Sequence, residues 1–112
     1  MAVETLEKYD TVRYEHTAAV VAKYFYVFNS TVMMALNAAL ANVETAFVNR
    51  CAKIRVTKQT GQAWTAGQLV YLAAGTQTFT TVSTANELAG YVAGPAASGD
   101  TEGLIDLDPA AV

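Results

Sequence analysis

All seven glycines of this chain and both of its prolines fall at or beyond Gly61, and that half of the sequence reads as a series of short strands held apart by turns. Residues 68–72, 78–82, 88–92 and 103–107 are brief runs rich in Val, Leu, Tyr, Phe or Thr, the residues that fit a pleated, half-buried surface. Turn formers separate them: Ala66-Gly67 before the first, Ala74-Gly75-Thr76 between the first two, Ala85-Asn86-Glu87 before the third and Ser98-Gly99-Asp100 before the fourth. Strands this short at this spacing predict a mainly antiparallel all-β fold, either a small barrel or a sandwich. Gly90 and Gly103, inside or beside strands, mark bends in a curved sheet.

The first half is less uniform. Residues 11–17 set Val12 and Tyr14 between Arg13 and Glu15, the alternation of a half-buried strand. Residues 24–28 are a continuous apolar run suited to a strand covered on both faces. Residues 53–58 alternate again, with Ile54 and Val56 directed inward and Lys53, Arg55 and Thr57 outward. Residues 31–48 admit two readings. Val32, Leu36, Leu40, Val43 and Phe47 recur along one helical stripe that Ser30 or Thr31 could cap, which favours a short helix within residues 31–42. Residues 43–48 equally read as a strand, with residues 37–42 the loop of a hairpin begun by residues 32–36.

At 112 residues the chain has material for one core, and the expected organisation is an N-terminal arm over residues 1–10 and a single β-rich domain over residues 11–112. Charge divides as unevenly as glycine. Residues 1–58 hold all seven bases and five acids, a balance of +2, while residues 59–112 hold five acids and no base. This suggests unlike faces, basic from the first half and acidic from the second. The net charge of −3 weighs against nucleic acid as a partner, because affinity for a polyanion comes from concentrated Lys and Arg. No apolar stretch approaches the roughly 18–20 residues that cross a bilayer, so no membrane partner is expected. The acids at Glu4 and Glu7 do not suit a secretory signal, so nothing directs the chain to export and synthesis in a reducing cytosol is expected.

Chemistry has little to work with. Cys51 is the one cysteine and is expected to be a small buried hydrophobe. His16 is the one histidine. The pair Cys51 and His16 has nothing local to orient it, and Asp106 and Asp108 read as a solvated strand end before Pro109. No G-x-x-x-x-G-K-[ST] run is present to cradle phosphate. No catalytic, metal-binding or cofactor-binding residue is therefore assigned, and no enzyme activity is expected.

One longer pattern is more specific. Residues 58–71 run Lys58-Gln59-Thr60-Gly61-Gln62-Ala63-Trp64-Thr65-Ala66-Gly67-Gln68-Leu69-Val70-Tyr71, then a Thr-rich strand, then Leu88-Ala89-Gly90-Tyr91-Val92-Ala93, then Ser98-Gly99-Asp100-Thr101 leading into an apolar last strand. This succession resembles the bacteriophage capsid decoration, or head cement, proteins, some of which once carried a recombinase label. In that family a lysine ends a strand and is followed by Gly, by Trp or a similar residue, by a Gly-containing turn and by a Val-Tyr strand. The first half matches more loosely, and around residues 19–22, 30–33 and 42–50 it has Ala, Val, Ser, Thr or Asn where glycine is usual in the family.

The resemblance implies a β-rich fold and favours strand, loop and strand for residues 31–48. It implies a structural virion protein on the capsid exterior that binds the major capsid protein and stabilises the assembled head, with homotrimers the expected state. Two regions are the expected capsid contacts. One is the arm, through Val3, Glu4, Leu6 and Lys8; the other is a basic ribbon of Arg50, Lys53, Arg55 and Lys58. Trp64 is assigned to the core or a subunit interface. A small phage DNA-binding accessory protein and a β-barrel ligand-binding module are the alternatives.

Overall fold

The computed structural model describes residues 9–111. Its eight strands are β1 (Tyr9–Glu15), β2 (Phe25–Phe28), β3 (Thr31–Ala35), β4 (Glu44–Thr57), β5 (Leu69–Ala73), β6 (Thr78–Thr80), β7 (Glu87–Val92) and β8 (Glu102–Leu107). Every strand pair is antiparallel, and one curled half-barrel sheet contains them all in the order β2-β3-β4-β8-β7-β5-β6, with β1 joined to β4. The all-β expectation holds. The four strands expected in the second half are present with their ends shifted by one or two residues, and β1 starts two residues ahead of the expected Thr11.

Residues 31–42 contain no helix, which corrects that expectation. The run 32–35 is apolar because β3 is buried on both faces: Val32 and Met34 join the main core while Met33 and Ala35 join a second, smaller one. A helix would have buried Leu40 on the same stripe. Leu40 is instead 77% exposed in the loop, and the backbone of β3 is satisfied by β2 and by the Met34–Val48 and Ala35–Phe47 pairs.

β4 is the long strand. Phe47 and Val48 pair with both β1 and β3, so those two strands occupy opposite edges of β4, and β8 takes up its second half from Cys51 to Thr57. Two irregularities, opposite Asp10/Thr11 and between Cys51 and Ile54, break its alternation. Lys53 sits at the second with φ of 57°, and its N–H donates to Asp106 Oδ1 at 2.9 Å. The resulting bend lets Val48, Cys51, Ile54 and Val56 all face the main core.

The first half makes its tight turns without glycine. Asn29 and Ser30 both have positive φ in the two-residue β2–β3 turn, and Asn42 does so before β4. Asparagine tolerates this region better than most side chains.

In the second half glycine meets a steric demand. A Cβ on Gly90 would lie 1.9 Å from the Asp106 carbonyl oxygen, and one on Gly103 would lie 2.6 Å from the Trp64 ring. Gly90→Ala should therefore destabilise the fold by about 1–3 kcal/mol or more, whereas Gly94→Ala, with open space around it, should stay within about 0.5 kcal/mol of wild type. Urea denaturation of the two variants checks this; equal midpoints would contradict the packing described.

Candidate functional site

The segment that carries the family-like pattern forms an internal lock. Directly after β4, Lys58 N–H donates to the Thr101 carbonyl at 2.8 Å while Gln59 N–H donates to that of Phe79 at 2.9 Å. The second bond accompanies a parallel Lys58–Phe79 bridge, which brings β6, the far end of the sheet, back to the continuation of β4. Trp64 then pairs with Ala96 through both backbone bonds, 2.8 and 3.1 Å, and its ring covers Gly103. Gln62 ties the lock to β6: its Nε2 donates to Thr80 Oγ1 at 2.8 Å and its Oε1 accepts from Thr81 N–H at 3.1 Å and from Trp64 Nε1 at 3.4 Å.

Lys58 is part of this lock, which corrects its place in the exposed ribbon. It is 2% exposed, and Nζ donates to the carbonyls of Gln59, Asp100 and Ser98 at 3.0, 3.4 and 3.5 Å while standing 5.7 Å from the Trp64 ring centroid. Three carbonyl dipoles and an aromatic face replace the water a buried ammonium gives up. Its alkyl stem fills the space between strands.

The other ribbon residues are at the surface, but interleaved with acids. Arg50 lies 3.5 Å from Asp108 and 3.8 Å from Asp10, Arg55 lies 3.7 Å from Glu102, and Lys53 is exposed beside Asp106. The expectation of separate basic and acidic faces is thereby corrected: β4 from the basic half pairs directly with β8 from the acidic half. Val3, Glu4, Leu6 and Lys8 lie outside the described residues.

The remaining candidates are separated. Cys51 is buried in the main core, and burial raises its thiol above the ordinary range, with the Asp106 carboxylate adding to the effect. His16 is at the other end of β1, roughly 20 Å away at about 3.3 Å per strand residue, packed against the rings of Tyr26 and Phe28. Asp108 Oδ1 accepts from Ala110 N–H at 2.8 Å, turning the chain after β8. A groove of about 170 Å³ lined by Arg55, Pro95, Ala96, Asp100, Glu102, Gly103 and Leu104 is smaller than the roughly 300–1,000 Å³ of small-molecule sites.

A further surface was not singled out in the sequence. Val20 and Ala39 bridge the segment before β2 to the β3–β4 loop, and around that bridge Val21, Tyr24, Leu40 and Val43 stand about half or more exposed. Its signal was present, since Lys23 is the only charged residue between Thr17 and Val43.

The chain is thus a curled β half-barrel locked from inside by Lys58, Gln62 and Trp64. A family model described as phage cement protein matches residues 6–107, and the chain belongs to that family. Neither the curated proteins nor the solved structures contain a match.

Two outcomes test this arrangement. Lys58→Met keeps the stem but removes the Nζ donor from the carbonyls of Gln59 and Asp100, while that of Ser98 keeps Gly61 N–H at 2.7 Å, and should lower stability by roughly 1–3 kcal/mol in urea denaturation; an unchanged midpoint would show that the carbonyls do not depend on Nζ. The Cys51 thiol stays protonated in the folded chain while the unfolded chain ionises from about pH 8.5. The stabilising contribution is thus complete below that pH and is lost as pH rises toward the raised folded value. Wild-type stability should fall more steeply above pH 8.5 than that of Cys51→Ala, measured as denaturation midpoints across pH; parallel slopes would refute it.

Proposed function

We propose that this chain binds the outer surface of the assembled phage head as a homotrimer and reinforces the shell against the pressure of packaged DNA. The observation that carries the reading is the match of residues 6–107 to the phage cement family. The physical demands of the task agree with it. A cement protein works by presenting a rigid body with complementary surfaces, and the chain is free of any requirement for turnover. On this reading it is not an enzyme, and it acts on the capsid exterior after synthesis in the host cytoplasm.

The proposed capsid contacts are the arm residues Val3, Glu4, Leu6 and Lys8 together with Arg50, Lys53 and Arg55. Because the exposed bases have acids beside them, the contact is a polar one in which capsid carboxylates compete with Asp10, Asp108 and Glu102. The same interleaving removes the continuous basic face that a DNA-binding accessory would need among the described residues.

Purified chain should co-sediment with expanded capsids of the source phage that lack decoration and should raise their thermal disruption temperature. Failure to bind those capsids would overturn the reading. Deletion of residues 2–8, or the double substitution Arg50→Glu with Lys53→Glu, should weaken binding on the order of tenfold or more while the circular-dichroism melt is preserved. Full affinity in both variants would remove these residues from the contact.

A further inference from the structure

The second core is unfinished on its outer side. Val20, Met33, Ala35 and Phe47 are buried there, while Val12, Tyr26, Phe28 and Ala39 are only partly covered. Beyond them Leu40 is 77% exposed, Val21 50%, Val43 48%, Tyr24 47% and Tyr14 42%. The loops bearing these groups are fixed by the chain itself. Val20 and Ala39 exchange backbone bonds of 2.9 and 3.2 Å, Asn42 N–H donates to the His16 carbonyl at 2.8 Å, and Val21 N–H donates to Tyr26 Oη at 2.8 Å. Exposed apolar groups held in place by such bonds have the character of a surface awaiting a partner.

Charge identifies what covers it. Arg13 and Glu44 at its border neutralise each other at 2.7 Å. Glu15 and Lys23 are exposed and have no ion pair among the described residues. Glu15, on β1, stands across the ladder from Glu44, a like-charge pairing; Lys23 precedes β2 and hydrogen-bonds through its N–H to Ala35. The strand order β2-β3-β4, with β1 on the far edge of β4, therefore puts an unspent base on one flank of the patch and an unspent acid on the other. Such a face is complementary to itself. Elsewhere on the described surface Arg50, Lys53 and Arg55 face six acids, Asp10, Glu87, Asp100, Glu102, Asp106 and Asp108, so contact between copies through other faces brings excess acid to acid.

We propose that a second copy of this chain covers the open second core, with Leu40, Val21 and Val43 buried against the neighbour and Glu15 of each copy paired with Lys23 of the next. The arrangement serves a two-fold pair or a closed ring equally, since in both the acid of one copy meets the base of another. It rests on the self-association proposed above and adds the face through which it occurs.

The test is sedimentation velocity on the full chain. Wild type should sediment as a multiple of the 11.9 kDa monomer. Leu40→Asp, Glu15→Lys and Lys23→Glu should each raise the dissociation constant on the order of tenfold or more, and the double swap Glu15→Lys with Lys23→Glu should restore association. Val82→Asp, an exposed apolar position elsewhere, should leave it unchanged. A monomeric wild type would overturn self-association altogether. An oligomeric wild type that Leu40→Asp does not weaken, or a double swap that fails to rescue, would overturn this face while leaving self-association standing. Matching circular-dichroism spectra separate loss of contact from loss of fold.

Discussion

The fold depends on one strand having to serve three neighbouring strands and two cores. β4 carries β1 on one edge, β3 and then β8 on the other, the main core on one face and the second core on the opposite face. A regular strand of 14 residues could not do this, because strict alternation would turn a single set of side chains to each face throughout. The bulges at its centre resolve the conflict. They change the parity so that Phe47 serves the second core while Val48, Cys51, Ile54 and Val56 serve the first, and Asp106 of the neighbouring strand holds the left-handed Lys53 that makes the change.

The same bulges explain what could be read from the residues and what could not. The strands of the second half were legible because glycine-marked turns bound them and their runs are short. β4 was legible only as two fragments, residues 43–48 and 53–58, since the intervening Asn49 to Ala52 break the period of two. Residues 32–35 carried the ambiguity of any strand buried on both faces, whose apolar run imitates a buried helix. At Asn29-Ser30 the turn was hidden by the absence of glycine, although asparagine before a small polar residue is a usable signal for it. Lys58 misled for a different reason: the alternation that turns Ile54 and Val56 inward puts position 58 on the same inner face, but its charge argues for solvent, and only the tertiary fold shows the carbonyls and ring that receive it.

The most specific part of the family pattern is thus spent on closure. Lys58, Gln62, Trp64 and Gly103 meet inside the molecule and tie β6, one end of the sheet, to the continuation of β4. A module with this lock holds its shape through interior contacts and leaves the loops and the charged side of β4 at the surface. The split in charge along the chain also takes on a different meaning. Pairing β4 with β8 turns it into a mosaic, in which Arg50 and Arg55 find their counter-ions across the ladder.

Gln77 shows how far the closure reaches. From the β5–β6 turn its side chain accepts the N–H of Phe25 at 2.7 Å and donates to the carbonyl of the same residue at 2.9 Å, taking the place of a strand at the free edge of β2. The two residues are 52 positions apart, and the contacts of Lys58 with the 98–101 turn span about 40. Topologies dominated by such pairings fold slowly as a class, and bonds this distant in sequence close only once the chain between them has bent back on itself. They also act as a mechanical latch. Peeling the β2 edge from the body requires both bonds of one glutamine to break together, so load applied there is shared between them and does not open the edge one hydrogen bond at a time.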